Sequence, residues 1–277
     1  MGTNDASNEA WAVGDSYEPY VGRWSRLVAQ DFIPWLALPE GSQWLEVGSG
    51  TGALTQTILN HANPKKVNGI DRSEEFVEFS RNRVKDPRAE FEVGNAQMLS
   101  LESETFDAAV SGLVLNFVPQ PDQMIGEMRR VVHDGGLVAL YVWDYGGRMQ
   151  MLRHFWNAAS ALDPAARELD EGWRFSICNP NSLNYLFQQA GLFQIEIRPI
   201  DIWAQFKNFD DFWIPFLGGQ GPAPGYVMSL DERRREQLRQ RLYNSLPFAL
   251  DGTIPLIMRA WAVKGIKGRP EFQRRGP

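Results

Sequence analysis

The stretch WLEVGSGTGALTQTIL, beginning at Trp44, sets three glycines (Gly48, Gly50, Gly52) into five residues between an apolar run and a helical pattern. The run that stops at Val47 reads as a buried strand, and the spacing from Ala53 to His61 reads as a helix. Glycines concentrated at that passage leave main chain nearly bare of side chains. Such a backbone can lie directly against a ligand where a side chain would collide.

The same alternation continues downstream. Strand KVNGID leads into helix EEFVEFSRNRV, then come strands AEFEVG and FDAAVSG, helix PDQMIGEMRRVV, a break at HDGG, and strand LVALYVW. Strands and helices alternating at this spacing predict a parallel sheet with helices on both faces. Upstream, residues 17–38 have helical character around Trp24, Leu27, Val28, Phe32 and Trp35. After Trp143 the regularity loosens. A helix (NSLNYLFQQAG) and strands FQIEIRPI and PLIMRAWAVKG stay visible, separated by aromatic insertions at about 147–178 and 205–246. The second insertion holds the charged helix SLDERRREQLRQRL, which reads as a solvated face, and GGQGPAPG (218–225) reads as an entrance loop or a connector. The expected organisation is a flexible lead over 1–13, one domain over 14–265 and a disordered tail over 266–277.

Composition narrows the function classes. One cysteine, Cys178, excludes an internal disulfide and any cysteine-based metal cluster, and a reducing cytoplasm fits that usage. A net charge of −6 argues against an extended nucleic-acid surface. No run reaches the roughly 18 apolar residues that a membrane span needs. Ten tryptophans suit a core or interface and also a pocket for a flat or apolar ligand.

A doubly wound sheet places its ligand beyond the carboxyl ends of the central strands, where Glu46–Gly52 stands. Gly48, Gly50 and Ala53 satisfy a dinucleotide fingerprint, with Asp71 at a suitable distance. Glu46 with Gly48, Gly50 and Gly52 equally satisfies the acid-x-Gly-x-Gly-x-Gly pattern of an S-adenosylmethionine loop. The loop alone leaves both open.

The surrounding segments separate them. LEVGSGTG, GIDRSEEFVEFSRNR, FEVGNAQMLSLESETFDAAVSGLVLNFV and EMRRVVHDGGLVAL, in this order over about half the chain, resemble a class I S-adenosylmethionine-dependent methyltransferase of the small-molecule type. The likeness is to the group of quinone-biosynthesis C-methyltransferases and, near Tyr20, glycine N-methyltransferases. It implies an α/β Rossmann-like fold. The sheet would be seven-stranded and mostly parallel, in the order 3-2-1-4-5-7-6 with the last strand antiparallel, helices on both faces and a helical, aromatic lid from the insertions. It also implies S-adenosylmethionine as cofactor and S-adenosylhomocysteine as product.

The resemblance assigns roles by position. Asp71 would accept from both ribose hydroxyls, Arg72 would lie over adenine, and Glu46 would meet the cofactor's ammonium. Gly48, Ser49, Gly50 and Gly52 would line the methionine side. Asn95 stands where the family commonly has Asp and would accept from the adenine amino group, with Ala96 offering its N–H and Gln97 packing nearby. Ser111 and Leu113 would approach the sulfonium, and Asn116 and Phe117 would face the donor methyl on the substrate side. Tyr20 could close on the methionine end, and Arg23 or Arg26 could pair with its carboxylate.

A sulfonium activates its own methyl group, so alignment of an acceptor is the main task and no metal is required. His154 and Tyr145 are the candidate catalytic side chains, with Asp144 beside Tyr145, and Trp156 and Trp213 are candidate pocket walls. His133 in the HDGG turn and His61 at a helix end read as structural. The segment SGLVLNFV lacks the Asn/Asp-Pro-Pro-Tyr of adenine and glutamine methylases, which leaves a small-molecule acceptor. The expectation is methyl transfer to an O, N or C atom of an apolar or aromatic metabolite, by a monomer or homodimer. A cofactor-binding regulator without turnover and an NAD-dependent oxidoreductase are the alternatives.

Overall fold

The computed structural model describes residues 18–219 and 221–268. After α1 (Arg23–Leu36) come β1 (Gln43–Val47), α2 (Ala53–His61), β2 (Lys66–Asp71), α3 (Glu74–Arg83), β3 (Ala89–Val93), β4 (Phe106–Gly112), α4 (Pro121–Val131) and β5 (Val132–Trp143). There follow α5 (Gln150–Leu162), α6 (Glu171–Arg174), α7 (Pro180–Gln189), β6 (Leu192–Phe206), α8 (Phe209–Trp213), α9 (Pro222–Ser229), α10 (Glu232–Ser245) and β7 (Ile254–Lys267). The strands form one seven-stranded sheet in the order β3-β2-β1-β4-β5-β7-β6, with β7 antiparallel to its neighbours, as the resemblance implied.

The chain divides into two compact units. One comprises Ala29–Val142, Pro180–Arg198 and the chain from Trp261 onward. Its central strands read as near-continuous apolar runs because both faces are covered: Trp44, Leu45 and Val47 in β1 and Ala108–Val110 in β4 are all buried. β1 pairs in parallel with β2 on one side and β4 on the other, Glu46 facing Gly69 and Val110 in register. The helices carry ordinary end signals. Ser73 caps α3 by accepting from the Phe76 N–H (3.3 Å), with Glu74 and Glu75 in the first turn and Arg81 and Arg83 in the last, the arrangement the helix dipole favours. α4 starts on Pro121 and buries Met124, Ile125, Met128 and Val131.

The other unit comprises the described chain up to Val28, Trp143–Asn179 and Pro199–Ala260. Its core is aromatic. Phe155 stacks on Phe216 at 4.6 Å, Tyr20 meets Phe216 edge-on at 5.5 Å, and Trp24 meets Phe206 at 5.4 Å. Arg23 pairs with Asp211 at 2.8 Å within the same unit.

Four expectations change. The HDGG segment is no turn before β5 but lies inside it: Phe106 pairs with Val132 and Ala108 with Leu137, so residues 133–136 form a bulge. The strand end passes residue 265, because Lys267 is buried and donates to the Val132 carbonyl at 2.8 Å. Residues 222–225 of the expected entrance loop form the first turn of α9, where Pro222 suits a helix start. The upstream helix begins with a π-helical turn at Glu18–Gly22 before α1 proper. The expected lead over 1–13 and the tail from 269 on lie outside the described residues.

Candidate functional site

The turn from β1 to α2 is pinned by its main chain. The Gly48 and Ser49 N–H groups both donate to the Ile70 carbonyl (2.7 and 3.0 Å), and Ser111 donates its hydroxyl to the Val47 carbonyl at 2.7 Å. Gly50 is held from both sides. Its N–H donates to Asp71 Oδ2 at 2.9 Å, and its carbonyl accepts from the Ser80 hydroxyl at 2.7 Å.

The glycines are bare for different reasons. At Gly48 (φ +78°) an added Cβ would meet Val114 at 2.4 Å, so this glycine makes room for the loop after β4. Gly52 caps α2 with φ 74°. Only Gly50 of the three has nothing within 4 Å of a Cβ, and there the backbone faces open space. Of the three glycines expected to line a ligand, Gly50 is the one whose backbone borders free space.

Glu46, the penultimate residue of β1, is 2% exposed. Its Oε2 accepts from the Thr55 hydroxyl, and the Thr55 main-chain N–H also serves its carboxyl. Burial, and secondarily the nearby Asp71 carboxylate, push its pKa up to about 8 against the opposing pull of Thr55. Ser49 is 4% exposed and its hydroxyl has no hydrogen-bond partner. On the loop after β4, Leu113 takes φ +63°, a left-handed conformation that costs a branched residue roughly 1 kcal/mol, and its N–H donates to the Tyr141 carbonyl. Three residues on, Asn116 is 8% exposed with both Oδ1 and Nδ2 unpartnered. A buried carboxyl near the end of β1, with no ion pair among the described residues, stands with an orphaned hydroxyl and an orphaned amide on two loops that touch through Gly48 and Val114. Native proteins leave few such groups unsatisfied, so a cluster of them marks the candidate place for a ligand.

Asp71 ends β2, where Oδ2 accepts from Gly50 and Oδ1 from the Ser73 N–H at 3.0 Å. Each oxygen keeps a lone pair, so the carboxylate can hold the loop and still accept from two hydroxyls. Arg72, beside it, is exposed. Asn95 uses Oδ1 to accept from the Gln97 N–H at 3.0 Å, which shapes the turn and reduces its capacity for adenine. Ala96 is half-buried in that turn, and Gln97 reaches Gln123 at 3.3 Å. Phe117 is half-buried in the short 3-10 turn Leu115–Phe117.

Tyr20, Arg26, Tyr145, His154, Trp156 and Trp213 belong to the aromatic unit. Tyr20 is buried against Phe216, and Arg26 is half-exposed. Trp156 donates its indole N–H to Glu171, and Trp213 stacks on Phe209; both are core side chains, with little free surface to wall a pocket. Tyr145 is buried against Phe175, and Asp144 Oδ2 accepts from the Arg148 N–H, so this acid shapes a turn instead of facing an acceptor. Burial lowers the pKa of half-buried His154, which keeps the imidazole neutral near pH 7.

Thr55, Ser80 and Val114 escape a reading of the sequence. Thr55 offers a faint signal, a polar residue one turn from the buried Ile58 and Leu59; the pairings of Ser80 and Val114 bridge about 30 and 66 positions and leave no local trace.

Comparisons with known proteins bear on the family and the fold. Residues 45–140 match a family model described as a methyltransferase domain. Over 180 residues the chain is 31% identical to demethylmenaquinone methyltransferase of Lysinibacillus sphaericus, covering 61% of this chain and 77% of that protein. It is 25% identical over 179 residues to trans-aconitate 2-methyltransferase of Variovorax paradoxus, covering 63% of this chain and 64% of that protein. The chain spans less than two thirds of the length of several curated relatives it matches. Among solved structures, phosphoethanolamine N-methyltransferase 2 of Haemonchus contortus in complex with S-adenosyl-L-methionine shares the fold with a TM-score of 0.57 at 16% identity, over 92% of this chain and 56% of that one. A glycine turn backed by an acid, a second acid closing the next strand and a relative of this similarity converge on one assignment: the chain belongs to the class I S-adenosylmethionine-dependent methyltransferases of the small-molecule type.

Proposed function

We propose that this protein transfers the methyl group of S-adenosylmethionine to a small, apolar or aromatic acceptor. The observation that carries the reading is a group of buried polar side chains: Glu46 near the end of β1 with no ion pair among the described residues, and Ser49 and Asn116, unpartnered, on the loops after β1 and β4. Bound cofactor supplies a methyl group already activated by its positive sulfur. The chain has to hold, orient and exclude water. Gly50 presents open main chain, and Asp71 offers its remaining lone pairs to the ribose hydroxyls. Glu46 answers the ammonium of the amino-acid arm, and Ser49 offers a hydroxyl beside it. Asn116, with one donor and one acceptor group unpaired among the described residues, suits a neutral polar group on the acceptor.

No group of three or more His, Cys, Asp and Glu side chains that could hold a metal occurs among the described residues. Among them, too, no helix is long and apolar enough to cross a membrane.

The test is calorimetry against S-adenosylmethionine, S-adenosylhomocysteine and NAD. The first two are expected to bind and NAD to give no heat. Asp71→Ala is expected to weaken both by about tenfold or more, through loss of charge-assisted hydrogen bonds. Unchanged affinity in that variant removes Asp71 from the site. A labelled-methyl screen over neutral phenols, quinols and amines then sorts the acceptors.

A further inference from the structure

α1 opens on two side chains that are held in place and still short of partners. Arg23 donates from one guanidinium nitrogen to Asp211 Oδ1 at 2.8 Å and from another to the Asp211 carbonyl at 3.4 Å. Its Cζ lies 4.5 Å from the Trp24 ring centroid and 5.0 Å from that of Phe206. The remaining nitrogen, Nε, is buried with no hydrogen-bond partner among the described residues, and so is Nε1 of Trp24. Trp24 is 8% exposed, and its ring meets Phe206 edge-on at 5.4 Å. Arg23, Trp24, Phe206 and Asp211 all belong to the aromatic unit. A single unpaired indole is no site, since Trp44 in the sheet has one as well. Two unpaired donors on successive residues, one group stacked over the other, are a stronger signal. Buried indoles usually find an acceptor, as Trp156 of the same unit does in Glu171. The segment just before the pair, Glu18–Gly22, is a π-helical turn, a rare form frequent at functional sites.

We propose that the Trp24 Nε1–H and the Arg23 Nε–H form a donor pair for a neutral carbonyl oxygen on the apolar molecule that accepts the methyl group, with Trp24 as a specificity-determining residue. That this molecule is the methyl acceptor rests on the methyl-transfer reading above; the donor pair itself does not. Both groups only donate, so whatever completes them brings an acceptor atom. Asp211 already compensates the guanidinium charge. A carboxylate on the ligand would add like charge beside Asp211, whereas a neutral oxygen adds none. The rings beside the pair, Trp24 and Phe206, suit an apolar body and give a polar one nothing to bond. An apolar molecule without the oxygen leaves both donors buried and unpaired, and that cost separates the two classes of ligand.

Nuclear magnetic resonance of the full chain, nitrogen-labelled at its tryptophan indoles and saturated with S-adenosylhomocysteine, reads the Trp24 donor directly. The probes are α-tetralone, a neutral bicyclic ketone, and tetralin, the same carbon frame without the oxygen. Trp24→Phe keeps an aromatic ring and removes the N–H, so it assigns the Trp24 indole resonance by its disappearance. Cross-peaks to the Phe206 ring assign it independently of that variant. α-Tetralone is expected to move the Trp24 indole proton downfield and to slow its exchange with water, and tetralin to do neither. In calorimetry Trp24→Phe is expected to weaken α-tetralone about fivefold, the worth of one hydrogen bond, and to leave tetralin and S-adenosylhomocysteine unchanged. α-Tetralone that does not bind, or that binds with the Trp24 proton unmoved, overturns the proposal and leaves the cofactor reading intact. An equal shift by tetralin also overturns it, since packing and not donation would be the cause. S-adenosylhomocysteine that fails to bind removes the cofactor reading, and the response of the same proton to α-tetralone in the free chain still decides the donor pair.

Discussion

The two units compensate their buried polar groups to different degrees. In the aromatic unit, Asp170 is held by Arg153 and by the Gly172 N–H, Glu171 accepts from the Trp156 indole, and Asp144 accepts from the Arg148 N–H. Each has a nitrogen donor of its own. In the unit built on β1 to β4, Glu46 is served by Thr55 alone, through its hydroxyl and its main-chain N–H, and the Ser49 hydroxyl and the Asn116 amide have no partner among the described residues. Burial is comparable: Glu171 and Glu46 are each 2% exposed. What differs is compensation. Polar groups satisfied within the chain stabilise and orient it, whereas groups left short are completed by something the chain does not contain. The contrast supports the ligand site proposed above, on the loops that follow β1 and β4.

The largest effect that sharpens this contrast is expected at the glycine turn. Gly48→Ala places a Cβ 2.4 Å from Val114 in a left-handed backbone. Overpacking and strain together cost roughly 4 kcal/mol, readable as a shift in urea midpoint. Gly50→Ala, with no atom within 4 Å, is expected to cost about 1 kcal/mol while weakening S-adenosylhomocysteine by a larger factor than Gly48→Ala per unit of stability lost. Equal stability losses at the two positions would show that Val114 does not press on the turn.

Next in size is the compensated acid. Asp170→Ala strands the Arg153 guanidinium, whose side chain is 20% exposed, and is expected to lower stability by about 3 kcal/mol with cofactor affinity unchanged. A loss of affinity without a loss of stability would break the division of labour drawn here. The smallest effect is expected at Asn116. Asn116→Leu removes two unsatisfied polar atoms and is expected to stabilise the protein by about 1 kcal/mol, at the expense of methyl transfer to polar acceptors. A drop in melting temperature instead would mean that the amide is already paired.

Much of this was legible along the chain because it is written in short-range patterns. Alternating apolar runs and helical spacing marked β1 to β5, and the glycines after Val47 marked the turn, since strand period, helix period and turn chemistry all act within about ten residues. The HDGG segment shows the limit of that signal. Two glycines in a row look like a turn, yet the ladder between β4 and β5 resumes past them, and only pairing with Phe106 and Ala108 makes them a bulge. Likewise Pro222 and Gly225 suggested a loop, whereas Pro222 opens α9 and residues Ala223, Pro224, Tyr226 and Val227 bury its face.

What the sequence determined by itself was the order of elements, the position of the glycine turn and the identity of Glu46 and Asp71 as its two acids, because each depends on neighbours in the chain. Tertiary structure alone decided that Val114 makes Gly48 obligatory and that Asp71 binds Gly50 as well as ending β2. It also decided that Trp156 and Trp213 are core, and that Glu46 is buried with no cation beside it. Those facts turn on the desolvation and contact of groups brought together from distant positions, and no local pattern encodes how much water a side chain has lost.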